Sequence, residues 1–333
     1  MARQSQERAR QEFAARIAAI STPEFIGRHV TGALAESRGG GCRPEEVEVV
    51  TIQNDGTGPA TVAYRVAGVA TLFGKLYRDS SGVHAWEVLR RLWLRGFHAG
   101  GRYQVAEPLG FLPQHNLLLM RAAGGACLAS SFGDANGGAL DGIREAARWL
   151  ARLHSSPVRI GELDQPWYVF AKLTQRLAKA AAAHAGDLKR LTGMVDRLEE
   201  LADGGPKDVV QVHGQFRPIH VFLTDQAVTV IDLDRSKVSD PAWDLAEFLH
   251  RLRSSLYRAG GAIGQANRFS HAFLEEYATR RPTDLKRVRF YHGFHVVVSL
   301  CRHMKRASRD DPEWESGVNF YLEEWERALA GSN

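Results

Sequence analysis

Two short stretches of this 333-residue chain concentrate the side chains best suited to chemistry. The first reads His213-Gly214-Gln215-Phe216-Arg217-Pro218-Ile219-His220. The second opens with Asp232-Leu233-Asp234 and continues to Asp240-Pro241-Ala242-Trp243-Asp244-Leu245-Ala246. Between them lie two apolar runs of hairpin length, Val221-Phe222-Leu223 and Val228-Thr229-Val230-Ile231. Loops at neighbouring strand ends would bring these polar groups together. A carboxylate just after the second strand of a hairpin suits a metal ion that holds phosphate oxygens. An isolated Asp-x-Asp is equally well explained as the polar end of a strand, so the surrounding elements decide its meaning.

Those elements change character along the chain. Residues from about 45 to 120 read as mostly β, with strands over 47–52, 61–66, 71–77, 103–105 and 117–120. A turn-rich gap, Asn54-Asp55-Gly56-Thr57-Gly58-Pro59, follows the first strand, and Ala67-Gly68 predicts a hairpin after the second. One helix interrupts the strands: Ala85, Val88, Leu89, Leu92 and Trp93 recur at helical spacing. The run Ala122-Ala123-Gly124-Gly125-Ala126 reads as a connection between lobes. From Asp141 the chain is mainly helical. Ile143, Ala146, Ala147, Leu150 and Leu153 form one stripe, a second helical region runs from about 168 to 202, and helices dominate again after Pro241. The N-terminus reads as an amphipathic helix ending near Ser21-Thr22-Pro23.

A strand lysine, a helical glutamate, a hinge, an HG loop, a hairpin and an acidic strand end thus follow one another. This order resembles the aminoglycoside phosphotransferase and choline kinase-like family, over about residues 45–330. That family carries HGDxxxxN, then IDxE or IDxD, then DPxxDLA; here Ile231-Asp232-Leu233-Asp234 and 240–246 match the last two. The resemblance implies an α+β, bilobal protein kinase-like fold with a small β-rich N-lobe and a larger helical C-lobe. The expected divisions are a helical extension over 1–30, a nucleotide-binding lobe over 31–121, and a lobe with catalytic loop and acceptor site over 122–333. It implies ATP or GTP as phosphoryl donor, bound by Lys75 with Glu87 as its ion-pair partner and Met120 beside the hinge. It implies Mg²⁺, or Mn²⁺, on Asp232 with Asp234 and His220, and a loop supported by Asp244 and organised by His213.

The departures from the pattern carry as much information. The family's base position, the D of HGD, is Gln215, and an amide cannot accept a proton at neutral pH. The second metal-ligand position, an asparagine in the family, is His220, whereas Mg²⁺ prefers oxygen. Arg217 stands two residues after the base position, where a guanidinium could stabilise phosphoryl charge. The leading expectation is transfer of a γ-phosphoryl group to a hydroxyl of a small molecule. The alternative is a nucleotide-binding pseudokinase with weak or no catalysis.

Composition sets the outer limits. Hydrophobic residues make up 44% and charged residues 24%, ordinary values for a globular chain. The formal net charge of +5 is mild, and no nucleic-acid motif accompanies it, so a nucleic-acid partner is not expected. No stretch is long and apolar enough for a bilayer, and no secretory signal is expected in the first thirty residues. Cys42, Cys127 and Cys301 are far apart and form no CxxC pair, which predicts a reducing, cytoplasmic setting. Oligomeric state is left open. Residues 280–309 carry nine basic side chains and one acid, and residues 310–326 carry seven acids and no base. Such segments either exchange surface salt bridges as neighbouring helices, or one of them gives the acceptor site a dominant sign.

Overall fold

The computed structural model describes residues 2–38, 41–54, 58–66, 72–133, 138–163, 171, 173–177, 188–202, 208–261, 263–306 and 311–330. The turn at 55–57, the Ala67-Gly68 turn and much of the helical region expected over 168–202 lie outside them. The α+β class expected from the sequence holds, and the chain forms two compact units. The first takes residues 1–125 together with 224–234; the second takes 126–223 and 235–333. The Asp-x-Asp segment therefore belongs to the first unit, although it lies beyond the linear division expected near residue 121.

The first unit is built on a five-stranded antiparallel sheet in the order β1-β2-β3-β6-β5. Its strands are β1 (Glu48–Gln53), β2 (Ala60–Arg65), β3 (Leu72–Leu76), β5 (Pro108–Leu112) and β6 (Leu117–Arg121). The pleat alternates side chains between faces. Leu72, Gly74 and Leu76 of β3 are buried on the core face, which turns Phe73 and Lys75 to the other. The core face is covered by helices α1 (Ala2–Ala19), α2 (Pro23–His29) and α3 (Thr31–Arg38). Phe13, Ile20, Phe25, Ile26, Val30 and Leu34 pack there with Val62, Tyr64, Leu72, Leu76, Leu117 and Leu119. Two polar ties fix the arrangement: Tyr64 Oη donates to the Ile20 carbonyl at 3.0 Å, and Arg16 donates to the carbonyls of Tyr77 and His115. The N-terminal helices are thus part of this unit's core rather than an extension. Helix α4 (Ser81–Leu94) follows β3, and the short β4 (Tyr103–Val105) pairs in parallel with β10 (Val228–Val230).

The second unit is mainly helical. Its described helices are α5 (Gly138–Ser155), α6 (Leu188–Leu201), α7 (Ala242–Arg258), α8 (Ile263–Ala278), α9 (Leu285–Arg306) and α10 (Pro312–Ala330). Short strands β7 (Ala126–Cys127) and β9 (Val221–Leu223) pair with each other, as do β8 (Val210–Val212) and β11 (Lys237–Ser239). Aromatic rings fill the interior: Trp149 stacks on Phe216 at 5.7 Å, and Phe248 on Phe273 at 4.1 Å. Among the described residues, no ion pair joins the basic segment to the acidic one. Within the acidic segment, Glu324 pairs with Arg253 of α7 and with Arg327 of its own helix, and Glu323 pairs with Arg327. The basic residues Arg280, Arg281 and Arg287 pair with Glu276, Asp208 and Asp240. No helix among the described residues is long and apolar enough to cross a membrane.

Candidate active site

In the first unit, Lys75 is the centre of an arrangement of two carboxylates and one phenol. Its Nζ lies 2.7 Å from Asp232 Oδ1 and 2.8 Å from Asp234 Oδ2. Tyr77 Oη donates to the other oxygen of Asp234 at 2.9 Å. Lys75 and Tyr77 are two residues apart, so the strand's period brings both to the same carboxylate. Helix α4 closes over Tyr77 because Gly82 lacks a side chain; a methyl there would overlap the phenol ring. Burial works against the Lys75 ammonium, yet the charges of Asp234 and Asp232 outweigh it and hold its pKa above the ordinary value. Burial first, and then Asp234, push the Tyr77 phenol upward, so it stays a donor.

Asp232 reaches this position through an unusual backbone. It follows β10 with φ +68°, one of two described non-glycine residues at positive φ. Aspartate is among the few side chains that visit this region routinely as single residues, and such sites cluster where function over-determines geometry. A 3-10 turn over Leu233–Arg235 comes next and sets Asp234 beside Asp232.

Glu87 does not join this group. Val83, Glu87, Arg90 and Leu94 form the exposed stripe of α4, while Ala85, Val88, Leu89 and Leu92 face inward. Helical spacing therefore carries Glu87 to the solvent side, and the two aspartates replace it as the partners of Lys75. Met120 sits partly buried on β6, opposite Phe73 of β3.

In the second unit, the loop after β8 is held from below by a buried aspartate. Asp244 accepts from the backbone N–H of His213 at 2.6 Å and of Gly214 at 2.9 Å. His154 Nε2 lies 3.2 Å from the same carboxylate. A carboxylate only accepts, so Nε2 carries the proton and His154 Nδ1 takes the Tyr277 hydroxyl, 2.8 Å away. Gly214 adopts φ +78°, and a methyl at its Cα would collide with the Arg235 carbonyl, so only glycine fits. Trp243 Nε1 donates to the Gly214 carbonyl. Asp240 accepts from the Ala242 N–H and from Arg287, tying the start of α7 to α9. The Asp-Pro-x-x-Asp spacing thus brackets one turn, with one carboxylate for the helix start and one for the loop.

Within the loop, His213 Nδ1 accepts from the Gln215 N–H, and its ring stacks on His220 at 5.6 Å. His220 Nδ1 faces the Gln215 carbonyl at 3.0 Å and donates to it. The Gln215 side-chain amide is partly exposed and makes no hydrogen bond among the described residues. Arg217 Nε donates to Glu247 Oε1 at 3.2 Å. Glu247 also accepts from Arg251 at 2.8 Å and from His295 at 2.8 Å. Burial opposes its charge, but His295, Arg251 and Arg217 prevail and hold its pKa well below the usual carboxylate range.

The donor set fits a hard cation in part. Asp232 and Asp234 offer carboxylate oxygens, the chemistry Mg²⁺ prefers. The expected third ligand, His220, presents an imidazole already engaged through Nδ1. Among the described residues no group of three or more His, Cys, Asp or Glu side chains is disposed to hold a metal ion. Tyr77, Glu247 and His154 escaped the sequence reading. The i, i+2 spacing from Lys75 marks Tyr77, whereas nothing local marks the other two.

A strand lysine joined to a strand-end Asp-x-Asp, in a β-rich unit followed by a helical one, defines a protein kinase-like fold. Residues 62–291 match the family model of the Phosphotransferase enzyme family, and the chain belongs to that family. An amicoumacin kinase in complex with AMP-PNP and Ca²⁺ aligns with TM-score 0.62 and 14% identity, over 86% of this chain and 89% of that one. A choline/ethanolamine kinase family protein from Mesorhizobium loti aligns with TM-score 0.57 and 14% identity, over 96% and 98% of the two chains. An aminoglycoside 2′-phosphotransferase in its GDP complex aligns with TM-score 0.57 and 14% identity, over 86% and 94%. A comparison with curated protein sequences gives no match.

Proposed function

We propose that the chain transfers the γ-phosphoryl group of ATP or GTP to an oxygen of a small molecule. The observation that best supports this reading is the Lys75 ammonium held between Asp232 and Asp234. A fixed cation beside a pair of carboxylates can bind phosphate oxygens while the carboxylates take a divalent ion. Asp232 with Asp234 would hold Mg²⁺ or Mn²⁺, which would supply neutralisation of phosphate charge. Lys75 positions the donor phosphates, with Met120 at the edge of the nucleotide. Asp244 and Gly214 hold the loop in one conformation, in which Gln215 offers an amide and Arg217 a guanidinium. Both stabilise or orient; neither accepts a proton at neutral pH.

A second reading is favoured by one observation. The loop has no carboxylate at the base position; Asp244 is engaged by the loop's own N–H groups, and Glu247, the partner of Arg217, is locked by three cationic or donor groups and too weakly basic to replace it. The transfer transition state is loose, so positioning and charge supply most of the acceleration. General-base help contributes about 10²–10⁴-fold. On this second reading the chain binds nucleotide and transfers slowly or not at all.

Nucleotide turnover with Mg²⁺ and with Mn²⁺, across neutral, cationic and anionic acceptors, separates the two. Gln215→Asp should raise turnover on a neutral hydroxyl by up to about 10²–10⁴-fold. A parent protein faster than the variant on every acceptor would show that Gln215 is a working part of the site.

A further inference from the structure

The second unit contains a cavity whose described wall is cationic. Its volume is about 390 Å³, and it is lined by Gln175, Arg176, Cys301, Arg302, Lys305 and Arg306. That size suits a small molecule, since ligand sites run from roughly 300 to 1,000 Å³. Four of the six lining side chains are basic and none is acidic. By contrast, Arg148, Arg217, Arg253 and Arg287 of the same unit each hold a carboxylate. Arg176, Arg302, Lys305 and Arg306 make no hydrogen bond or ion pair among the described residues. Arg302 is partly buried, and burial first, then Arg251, Arg176 and Arg306, disfavour its charge more than Glu247 favours it. Burial also pushes the Cys301 thiol up to about 11, so it stays neutral and adds no counter-charge.

Like charges gathered without partners repel one another, and an anion entering the cavity would relieve that repulsion. Guanidinium forks match phosphate and carboxylate geometry. The cavity also lies on a run of charges that starts at the loop. Glu247 accepts from Arg217, from Arg251 and from His295. His295 and Arg302 share α9, about two turns and ~10 Å apart along its axis. Arg251 is itself one of the charges acting on Arg302.

We propose that this cavity is an anion site that takes the phosphate or carboxylate group of the acceptor, so that the acceptor is a small anionic molecule rather than a polycation. The word acceptor rests on the phosphotransferase reading; the anion site does not.

The test is calorimetric titration of the full chain, without nucleotide, using ribose 5-phosphate, gluconate, uncharged ribose and cationic kanamycin. Ribose 5-phosphate or gluconate should bind, which also decides between phosphate and carboxylate; ribose and kanamycin should not. Arg302→Ala should weaken that binding by about tenfold or more. Because Arg302 is partly buried, the exposed pair Lys305→Ala with Arg306→Ala provides a second variant and should act in the same direction. Lys75→Ala should leave anion binding unchanged. The proposal is overturned if neither anion binds, if both cavity variants bind as the parent does, or if Lys75→Ala abolishes the binding. Anion binding lost only in the cavity variants, with no turnover on any acceptor, would refute the phosphotransferase reading alone. Turnover on kanamycin without anion binding would refute the anion site alone.

Discussion

Replacing Lys75 by methionine keeps the apolar stem and removes the charge, and its effects can be worked out from the geometry. The ammonium is the cation shared by Asp232 and Asp234, at 2.7 and 2.8 Å. The three side chains are 14%, 27% and 22% exposed, so the group is neither dry nor open to solvent. Breaking a buried pair costs about 3–5 kcal/mol, and an exposed pair contributes about 0–1 kcal/mol. For this intermediate case the variant should lose about 2–3 kcal/mol of stability. The loss should shrink as pH falls, because two carboxylates without a cation raise one another's pKa and one then takes up a proton. Nucleotide binding should weaken as well. A charge-assisted contact to phosphate contributes about 1.5–3 kcal/mol, or roughly 10- to 150-fold in affinity. Urea unfolding and titration with non-hydrolysable ATP and GTP analogues in Mg²⁺ measure the two effects separately. An unchanged unfolding midpoint would refute the bridging role. A lowered midpoint with nucleotide affinity inside twofold of the parent would make Lys75 a structural residue and remove it from the phosphate site.

Three further outcomes follow from the second unit. Gly214→Ala should nearly abolish turnover and lower the unfolding midpoint, because a left-handed residue costs about 1–2 kcal/mol before the overlap with the Arg235 carbonyl is counted; an active variant of parental stability would refute the close approach. Asp244→Asn should cost about 2–4 kcal/mol, since an amide cannot accept from His213, Gly214 and His154 at once without leaving a buried donor unmet; equilibrium unfolding measures this, and a change under 1 kcal/mol would contradict it. The third outcome concerns pH. Burial lowers the pKa of His154 despite Asp244, and burial with Arg251 lowers that of His250 further. Both stay neutral in the fold while the unfolded chain titrates near its ordinary value. Stability is then whole above about pH 6.5 and falls below it, by up to about 1.4 kcal/mol per pH unit for each histidine. Unfolding midpoints equal at pH 7.5 and 5.5 would show that neither imidazole is shielded from protons.

Where spacing is local, the sequence was readable. Asp232 and Asp234 follow an apolar strand, and Asp240 and Asp244 stand one helical turn apart, so their loops could be placed from the residues alone. Lys75 was marked by the family resemblance, since a lysine in an alternating strand is by itself an ordinary surface cation. Glu87 failed because its presence in a helix after the lysine strand says nothing about which face it occupies; the apolar residues Ala85, Val88, Leu89 and Leu92 decide that, and they turn it outward. The N-terminal helices misled in a different way. Their polar surface suggested an extension, but Phe13, Ile20, Phe25 and Ile26 are buried against strands that begin more than twenty residues later. β7 and β11 have only two and three residues, too few for any periodicity to appear. Glu247 and His154 are invisible locally because Arg217 and His295, which meet the first, and Asp244 and Tyr277, which meet the second, come from other elements and are brought there only by folding.

The electrostatics of the second unit give the divergent loop a consistent meaning. A carboxylate at position 215 would add a negative charge to a loop whose neighbour, Glu247, is already ionised and buried. Glu247 is balanced by Arg217, Arg251 and His295, and the cationic run continues past Arg251 to the cavity wall around Arg302. An anionic acceptor entering that field gains from every cation and would be repelled by an aspartate at the loop. Gln215 keeps a hydrogen-bonding side chain there without that repulsion. If the proposed anion site holds, the missing carboxylate and the cationic cavity are two parts of one charge pattern, which would favour acceptors that arrive negatively charged.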